Sequence, residues 1–384
     1  MRDVFVEIHD FGYGPACGFL DATASFSDEF NWHVLASGNA ARYLARARPE
    51  AEIIPFNGYD PENWKRLSSL IPQGSPLLSL SNPGFASYAA GQGFRVALID
   101  QLDWMWSANP VDIDLVELHL IQHYFGASSN KQRPAKALEV RPIVTPALPQ
   151  RNGSKVLDMI VIGLGGMAIA GNPEAGDAYA RWLLRQVSNA LDQTGFSIVI
   201  VGGSPNLVSI VRSAGLNGAT VVNGMSRLEY LSLLNRSSFQ ILTPGLASIY
   251  ESEALGLSPL FLPGVNKSML LQLQSLVNAG YPQAVSWPWM KEVRSALQSL
   301  PAGDALALIT GKIKSSMADE DNSGRILQAA ILDYVEGETR HRIPVDIDKG
   351  MPEASVLLRQ ALSRMVSTSQ RPASPDRLAV AQLD

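Results

Sequence analysis

The sequence predicts an α/β protein with two domains, each built on a parallel sheet that is covered by helices on both faces. Three observations lead to this fold class. Short apolar runs alternate with helical stretches, Gly-rich turns follow apolar strands at 11–18 and 163–168, and a Pro-rich segment lies between these turns. Strands and helices that alternate on this scale build parallel sheets with helices on each side.

The predicted elements follow the same rhythm in both halves of the chain. After an opening strand from Val4, the first half has predicted strands at 32–36, 53–56, 76–80 and 95–99, with a helix at 39–48. The second half has predicted helices at 176–193, 206–214 and 226–235, and predicted strands at 197–201, 219–222 and 239–243. Each half therefore resembles a Rossmann-like domain.

The domain boundary is predicted in segment 126–154, which is rich in Pro, Lys, Arg and Ser, as linkers are. We expect an N-terminal domain at 1–148 and a C-terminal domain at 149–310. Residues 311–366 are predicted to form helices that pack back on the domains, and 367–384 a flexible tail.

Composition excludes several classes of protein. The 384 residues are 46% hydrophobic and 17% charged, as in a soluble globular protein. No apolar run approaches the length that crosses a bilayer, and the start lacks the apolar core of a signal peptide, so we expect a cytoplasmic protein. A single cysteine excludes an intramolecular disulfide, and a net charge of −5 argues against a nucleic-acid partner. A homodimer is left open.

The most informative segment is 243–263, which predicts a turn, a helix and a strand after the apolar strand at 238–243. Pro244 and Gly245 break the strand, and good helix formers follow them. Gly256 then suits the left-handed conformation that ends many helices. The segment is therefore predicted to complete a βαβ unit.

The start of this helix is a predicted anion site. The amides of Leu246, Ala247 and Ser248 have no partner inside the helix and lie at the positive end of its dipole, so they suit a diphosphate. Gly245 lets the phosphates come close. Glu251 lies about one and a half turns further on, where its carboxylate can accept hydrogen bonds from ribose hydroxyls. The segment thus predicts half of a nucleotide-sugar site.

These residues resemble the GT-B glycosyltransferases, in particular the N-acetylglucosaminyltransferase that completes the lipid-linked peptidoglycan precursor. The residues that match the pattern of that family are Gly245, Glu251, Gly256, Leu257 and Pro263. The resemblance implies a GT-B fold, with two Rossmann-like domains facing a cleft and C-terminal helices. It also implies metal-independent transfer of a sugar from a UDP-sugar, which is a co-substrate, with no other cofactor. A TDP-sugar stays open as the alternative donor.

The same resemblance assigns further donor contacts. The family places polar residues on the sugar hydroxyls after the strand that ends in Pro263. This chain has Asn266, Lys267, Gln272 and Gln274 there, with Gln272 displaced by about one residue. The family also places a Gly-rich turn on the phosphates and a loop on the base. The residues that the resemblance implies for the donor are Gly163, Gly165, Met225, Gly245, Leu246, Ala247, Ser248, Glu251 and Gln272.

A second resemblance concerns the acceptor, which the first domain should hold. The turn Phe11–Gly18 and the segment Ala97–Trp106 look like the cytosylglucuronate synthases of nucleoside antibiotic pathways, which join cytosine to the sugar of UDP-glucuronate. Phe19 departs from the basic residue expected after the turn. Aromatic rings could stack on a flat base and polar groups could pair with its edge. The predicted acceptor-binding residues are Gly12, Tyr13, Gly14, Asp100, Gln101, Trp104 and Gln122.

Two residues are candidates for the catalytic base that an inverting transfer requires. His9 and Asp10 end the first strand, at the edge where α/β sheets bind ligands. Because side chains alternate along a strand, we expect only one of the two to face the cleft, and we prefer Asp10. A capping role for Asp10 and a packed core position for His9 stay open.

Other functions remain open at this point. The turn 163–168 also fits the dinucleotide fingerprint of NAD-dependent oxidoreductases, although the next strand ends without the acidic residue that holds the ribose. A UDP-sugar 2-epimerase shares the fold, and a sensor would need only the donor site. No metal site is predicted: His119 and His123 are placed one turn apart on a helix without a third ligand.

Overall fold

The computed structural model describes residues 2–10, 12–126, 131–145, 156–165, 173–192, 194–300, 302–337, 339–347 and 350–369. Two parallel sheets, of seven and five strands, dominate this part of the chain. Helices cover both, as the sequence predicts for an α/β protein.

The first sheet has the strand order β3-β2-β1-β4-β5-β6-β7, with all pairs parallel. Its strands are β1 Arg2–Ile8, β2 Phe30–Ala36, β3 Glu52–Pro55, β4 Pro76–Leu80, β5 Arg95–Asp100, β6 Leu118–Gln122 and β7 Ala137–Val140. Its helices are α1 Gly14–Thr23, α2 Gly38–Ala47, α3 Pro61–Trp64, α4 Leu67–Leu70 and α5 Pro83–Gly91, with 3₁₀ turns at Ala24–Glu29, Asp103–Met105 and Ile113–Leu115.

The second sheet has the order β10-β9-β8-β11-β12, again parallel throughout. Its strands are β8 Val156–Gly165, β9 Ser197–Gly202, β10 Thr220–Asn223, β11 Ser237–Leu242 and β12 Leu260–Phe261. Between them lie α6 Pro173–Leu191, α7 Leu207–Ser213, α8 Arg227–Arg236 and α9 Leu246–Ala254, and α10 Lys267–Asn278 follows β12. The last helices are α11 Met290–Ser299, α12 Ala302–Ala318, α13 Arg325–Glu336 and α14 Ala354–Ser369, with a π turn at Glu320–Gly324.

Strand order determines where each sheet can bind a ligand. It reverses direction between β1 and β4 in the first sheet and between β8 and β11 in the second. At such a reversal the connections leave on opposite faces, so a crevice opens beyond the carboxyl ends of the strands. Each sheet therefore offers one crevice at the same relative position.

The last helix of the chain packs on the first sheet, although it follows the second in sequence. Leu358, Leu362 and Met365 of α14 are buried in one apolar cluster with Val6 and Leu80. The helices α12 and α13 instead pack against α6 of the second sheet. The C-terminal helix α14 is thus part of the first domain by packing, because it buries its apolar surface there.

The predicted domain limits lie either outside the described residues or inside a helix. The boundary at 148 lies outside the described residues, as does the tail beyond 369. The boundary at 310 falls inside α12, and α14 extends to Ser369, so its last turn includes the first residues of the predicted tail.

The helix predicted around His119 and His123 is wrong. Residues 118–122 form β6, and every one of them is buried between β5 and β7. A parallel strand that is buried on both faces shows no alternation of polar and apolar residues, so its pattern is ambiguous. The segment predicted as linker also contributes edge strand β7. Within the described residues, no helix is both long and apolar enough to cross a membrane, and no cluster of His, Cys, Asp or Glu could hold a metal ion.

Docking of α14 should carry much of the stability of the first domain. Leu362 is fully buried, so Leu362→Ala should lower the free energy of unfolding by about 2–5 kcal/mol through lost transfer energy and a residual cavity. Val356, on the same helix, is 50% exposed, and Val356→Ala should change it by less than about 0.5 kcal/mol. Urea unfolding followed by circular dichroism measures both; equal effects of the two variants would contradict this packing.

Candidate active site

A cavity lies where the carboxyl ends of the two sheets face each other. Its first-domain walls follow β1, β4 and β5, and include His9, Tyr13, Ser81 and Gln101. Its second-domain walls follow β8, β9, β10, β11 and β12. Both crevices that the strand order creates thus open into one space.

The start of α9 forms the floor of the second-domain side. Gly245 is the N-cap residue and has no side chain to cap the helix, and Leu246, Ala247 and Ser248 follow it along the cavity. Their amides therefore offer unpaired donors at the positive end of the helix dipole. This wall is suited to an anion.

The two glycines at the end of β8 have different surroundings. Gly165 lines the cavity with φ +59°, in the left-handed region that favours glycine. Gly163 packs instead against Tyr230 and Leu242, where a Cβ would collide with both side chains. Only Gly165 of this pair faces the cavity, and residues 166–168 of the turn lie outside the described residues.

Glu251 lies deeper in the same wall, and its side chain is 1% exposed. Nη2 of Arg227 contacts its Oε1, and its Oε2 has no hydrogen-bond partner within the described part of the chain. A buried carboxylate oxygen without a partner is costly unless a ligand supplies a donor. Met225, in the loop before α8, also lines the cavity.

The first turns of α10 form the far end of the second-domain side. Asn266 caps this helix by accepting hydrogen bonds from the Met269 amide at 2.9 Å and the Ser268 hydroxyl at 2.8 Å. Gln272 is 2% exposed, lines the cavity, and has no hydrogen-bond partner for Oε1 among the described residues. Lys267 and Gln274 do not line the cavity.

The first-domain side contains part of the predicted acceptor set. Gly12, Tyr13, Gly14 and Gln101 line the cavity. The Tyr13 ring packs on that of Tyr43 with 4.9 Å between ring centroids. This side therefore combines an aromatic surface with the amide group of Gln101.

Three other residues of that set lie behind the cavity wall. Asp100 is fully buried and accepts hydrogen bonds from the Leu102 amide at 2.9 Å and from Nε1 of Trp106 at 3.1 Å. The Trp104 ring stacks on Tyr124 at 3.9 Å. Gln122 accepts a hydrogen bond from the Gln101 amide group at 3.0 Å, so it orients a residue that does line the cavity.

The two candidate bases point in different directions. Oδ1 of Asp10 accepts hydrogen bonds from the amides of Asn39 at 3.0 Å and Ala40 at 3.3 Å, at the start of α2, and Asp10 does not line the cavity. His9 does line it and is 5% exposed. Burial lowers the pKa of His9 from 6.5 to about 4, although a hydrogen bond with the backbone of Leu80 opposes this change. His9 is therefore neutral at pH 7.

Sequence reasoning did not identify several residues of this cavity. Arg227, Cys17, Tyr43 and Ser81 all line it. The signal for Arg227 is weak: Ser226 and Glu229 form a capping box, which places Arg227 at the first position of α8. Nothing in the local pattern shows that a neighbouring domain buries it.

Comparisons with known proteins bear on the fold. No family model matches the sequence, and no curated protein matches it either. Among solved structures, MnaA of S. aureus, determined with UDP, has a TM-score of 0.50 and 8% identity and covers 97% of this chain and 99% of its own. MurG of Acinetobacter baumannii has a TM-score of 0.46 and 11% identity, over 95% of this chain and 100% of its own.

A third solved structure is a putative UDP-N-acetylglucosamine 2-epimerase from Listeria monocytogenes, with a TM-score of 0.47 and 9% identity, over 97% of this chain and 98% of its own. At these identities the likeness concerns the fold alone. Together with the two parallel sheets, the match to MnaA shows that the chain has the GT-B fold, as the sequence predicts.

The buried position of His9 makes a titration prediction. Its ring should stay neutral down to about pH 5, because the folded state lowers its pKa to about 4. Unfolding returns the pKa to 6.5, so the stability that His9 contributes is present above pH 6.5 and is lost as the pH falls towards 4. NMR titration, with His9→Asn to assign the resonance, measures this; a transition near pH 6.5 would contradict the buried environment.

Proposed function

We propose that the protein is a glycosyltransferase that moves a sugar from a UDP-sugar to a small acceptor. The observation that carries the proposal is that the α9 amides and Glu251 lie in the same cavity wall. The opposite wall, from the first domain, holds His9. Amides at a helix start suit a diphosphate, and a buried carboxylate suits ribose hydroxyls. The GT-B fold supports the same interpretation.

In the proposed donor complex, the diphosphate lies at the start of α9 beside Gly165, and the ribose hydroxyls donate hydrogen bonds to Glu251. The base lies by the loop that contains Met225. The sugar extends towards Ser268 and Gln272, whose unpaired Oε1 can accept from a sugar hydroxyl. Each of these contacts uses a group that already faces the cavity.

The reaction then requires an acceptor on the first-domain side. In the proposed mechanism His9 takes the proton from the acceptor as the acceptor atom forms a bond to the anomeric carbon. The bond between that carbon and the diphosphate oxygen breaks, and its electron pair leaves with UDP, where the α9 amides stabilise the developing charge. The negative charge of bound donor would also raise the pKa of His9 and make it a better base.

Within this class we propose glucuronate as the sugar and cytosine or a related nucleobase as the acceptor. The resemblance of the turn Phe11–Gly18 supports this pair, and Tyr13 and Gln101 offer an aromatic ring and an amide for a flat base. Arg227 is the cation among the described cavity residues, and it already contacts two carboxylates. A sugar carboxylate would therefore be bound by neutral donors such as Gln272.

The donor site makes the first prediction. Glu251→Ala should weaken UDP binding by about 1–3 kcal/mol, roughly 5- to 150-fold in Kd, because the ribose loses a charged hydrogen-bond partner. Isothermal titration calorimetry with UDP measures this. Glu253→Gln is the matched control, since Glu253 lies on the same helix but pairs with Arg342 outside the cavity. Binding of NAD with no binding of UDP would instead favour an oxidoreductase.

The assignment of His9 as the general base makes a second prediction about activity. His9→Asn should lower kcat by about 10²- to 10⁴-fold, the usual contribution of a general base, while the Kd for UDP stays within about twofold. Turnover is measured as acceptor-dependent release of UDP from UDP-glucuronate and from neutral UDP-sugars. Asp10→Asn should keep most activity, because Asp10 caps α2. Conversion of the sugar without any acceptor would identify an epimerase and contradict the transferase proposal.

A further inference from the structure

Arg227 is a partly buried cation at the contact between the two domains. It is the first residue of α8, and the capping box of Ser226 and Glu229 determines where that helix begins. Its side chain is 14% exposed and lines the cavity. A guanidinium in such a position must be paired with anions to offset its lost hydration.

Two carboxylates from different domains provide that pairing. Nη2 of Arg227 lies 2.7 Å from Oδ2 of Asp21, in the last turn of α1, and also contacts Oε1 of Glu251 in α9. The exposed fractions of these two carboxylate side chains are 4% and 1%. One guanidinium thus serves a carboxylate of the first domain and the carboxylate predicted to hold the donor.

Asp21 does not line the cavity, so it has no direct route to a ligand there. It lies one turn along α1 from Cys17, which does line the cavity. Besides Arg227, Thr145 donates a hydrogen bond to Asp21. Burial raises the pKa of Asp21, and the Arg227 charge opposes this and favours the ionised form. The ionised Asp21 therefore depends on Arg227 and in turn holds it.

We propose that Arg227 is a positioning residue that joins Glu251 to Asp21, so that donor affinity depends on a contact with the acceptor domain. This inference rests on the proposed donor site. Asp21 shares the guanidinium and leaves Oε2 of Glu251 available for the ribose. Without the charge of Asp21, the guanidinium pairs with Glu251 alone and competes with the ribose hydroxyls for it. Without Arg227, Glu251 is a buried carboxylate with no cation.

A double-mutant cycle on the full chain tests this proposal, with UDP as the titrant in calorimetry. Asp21→Asn keeps the shape of the side chain and should weaken UDP binding about tenfold, although Asp21 lies outside the cavity. Arg227→Met should weaken it at least as much. In the double variant, Asp21→Asn should add nothing to Arg227→Met, because its effect travels through Arg227. KM for the UDP-sugar should rise with Kd while kcat changes less.

Two further variants serve as a control and as a charge-conserving comparison. Tyr124→Phe removes a hydroxyl that donates to Ser275 across the same domain contact at 2.9 Å and does not involve Arg227, so UDP binding should be unchanged. Arg227→Lys keeps the charge but loses the fork that reaches two carboxylates, and should fall between wild type and Arg227→Met. Arg227→Lys also serves if Arg227→Met fails to fold, as judged by thermal unfolding.

The affinities of these variants for UDP decide whether the proposal holds. Wild-type affinity in Asp21→Asn, or independent additive losses in the double variant, would overturn the proposal. An equal loss in Tyr124→Phe would overturn it too, since the effect would then reflect domain contact in general. If the wild-type protein does not bind UDP, the proposed function fails and this inference fails with it. If UDP binding is lost in Glu251→Ala but Asp21→Asn is normal, only this inference fails.

Discussion

The rest of the molecule depends on one constraint: parallel strands bring all of their carboxyl ends to the same edge of a sheet. Each of the two sheets reverses strand order once, and the two reversals face each other across one cavity. Residues that are more than two hundred positions apart, such as His9 and Glu251, therefore line the same cavity. Most of the described cavity residues follow a strand directly or lie in the helix that comes next.

Buried polar groups give this cavity its chemical character. Its walls hold a neutral His9, the unpaired amides of α9, a partly paired Glu251 and a Gln272 amide with a free oxygen. Each such group loses hydration on burial, and only a hydrogen-bond partner offsets the free energy that this loss costs. A polar ligand with hydroxyls and phosphates would supply partners for the α9 amides, Oε2 of Glu251 and Oε1 of Gln272, which supports the proposed nucleotide-sugar.

The second-domain wall of the cavity could be predicted because its signals are local. Gly245, the helix start and Glu251 lie within one βαβ unit, and helix periodicity places Glu251 on the face of Ala247 and Ser248, which lie four and three residues before it. The first-domain wall could not be predicted in the same way. Whether Asp10 or His9 faces the cavity depends on how β1 meets α2, and Trp104 is withdrawn from the cavity by stacking on Tyr124, from another strand end.

By itself, the sequence determined the α/β class, most strand and helix positions, and the helix start that suits a diphosphate, because these follow from short-range periodicity and turn chemistry. Only the tertiary structure decided that β6 is a strand, that α14 returns to the first sheet, and that Arg227 joins Asp21 to Glu251. The physical reason is that burial and ion pairing between distant segments depend on how the two domains pack, and no local pattern records that contact.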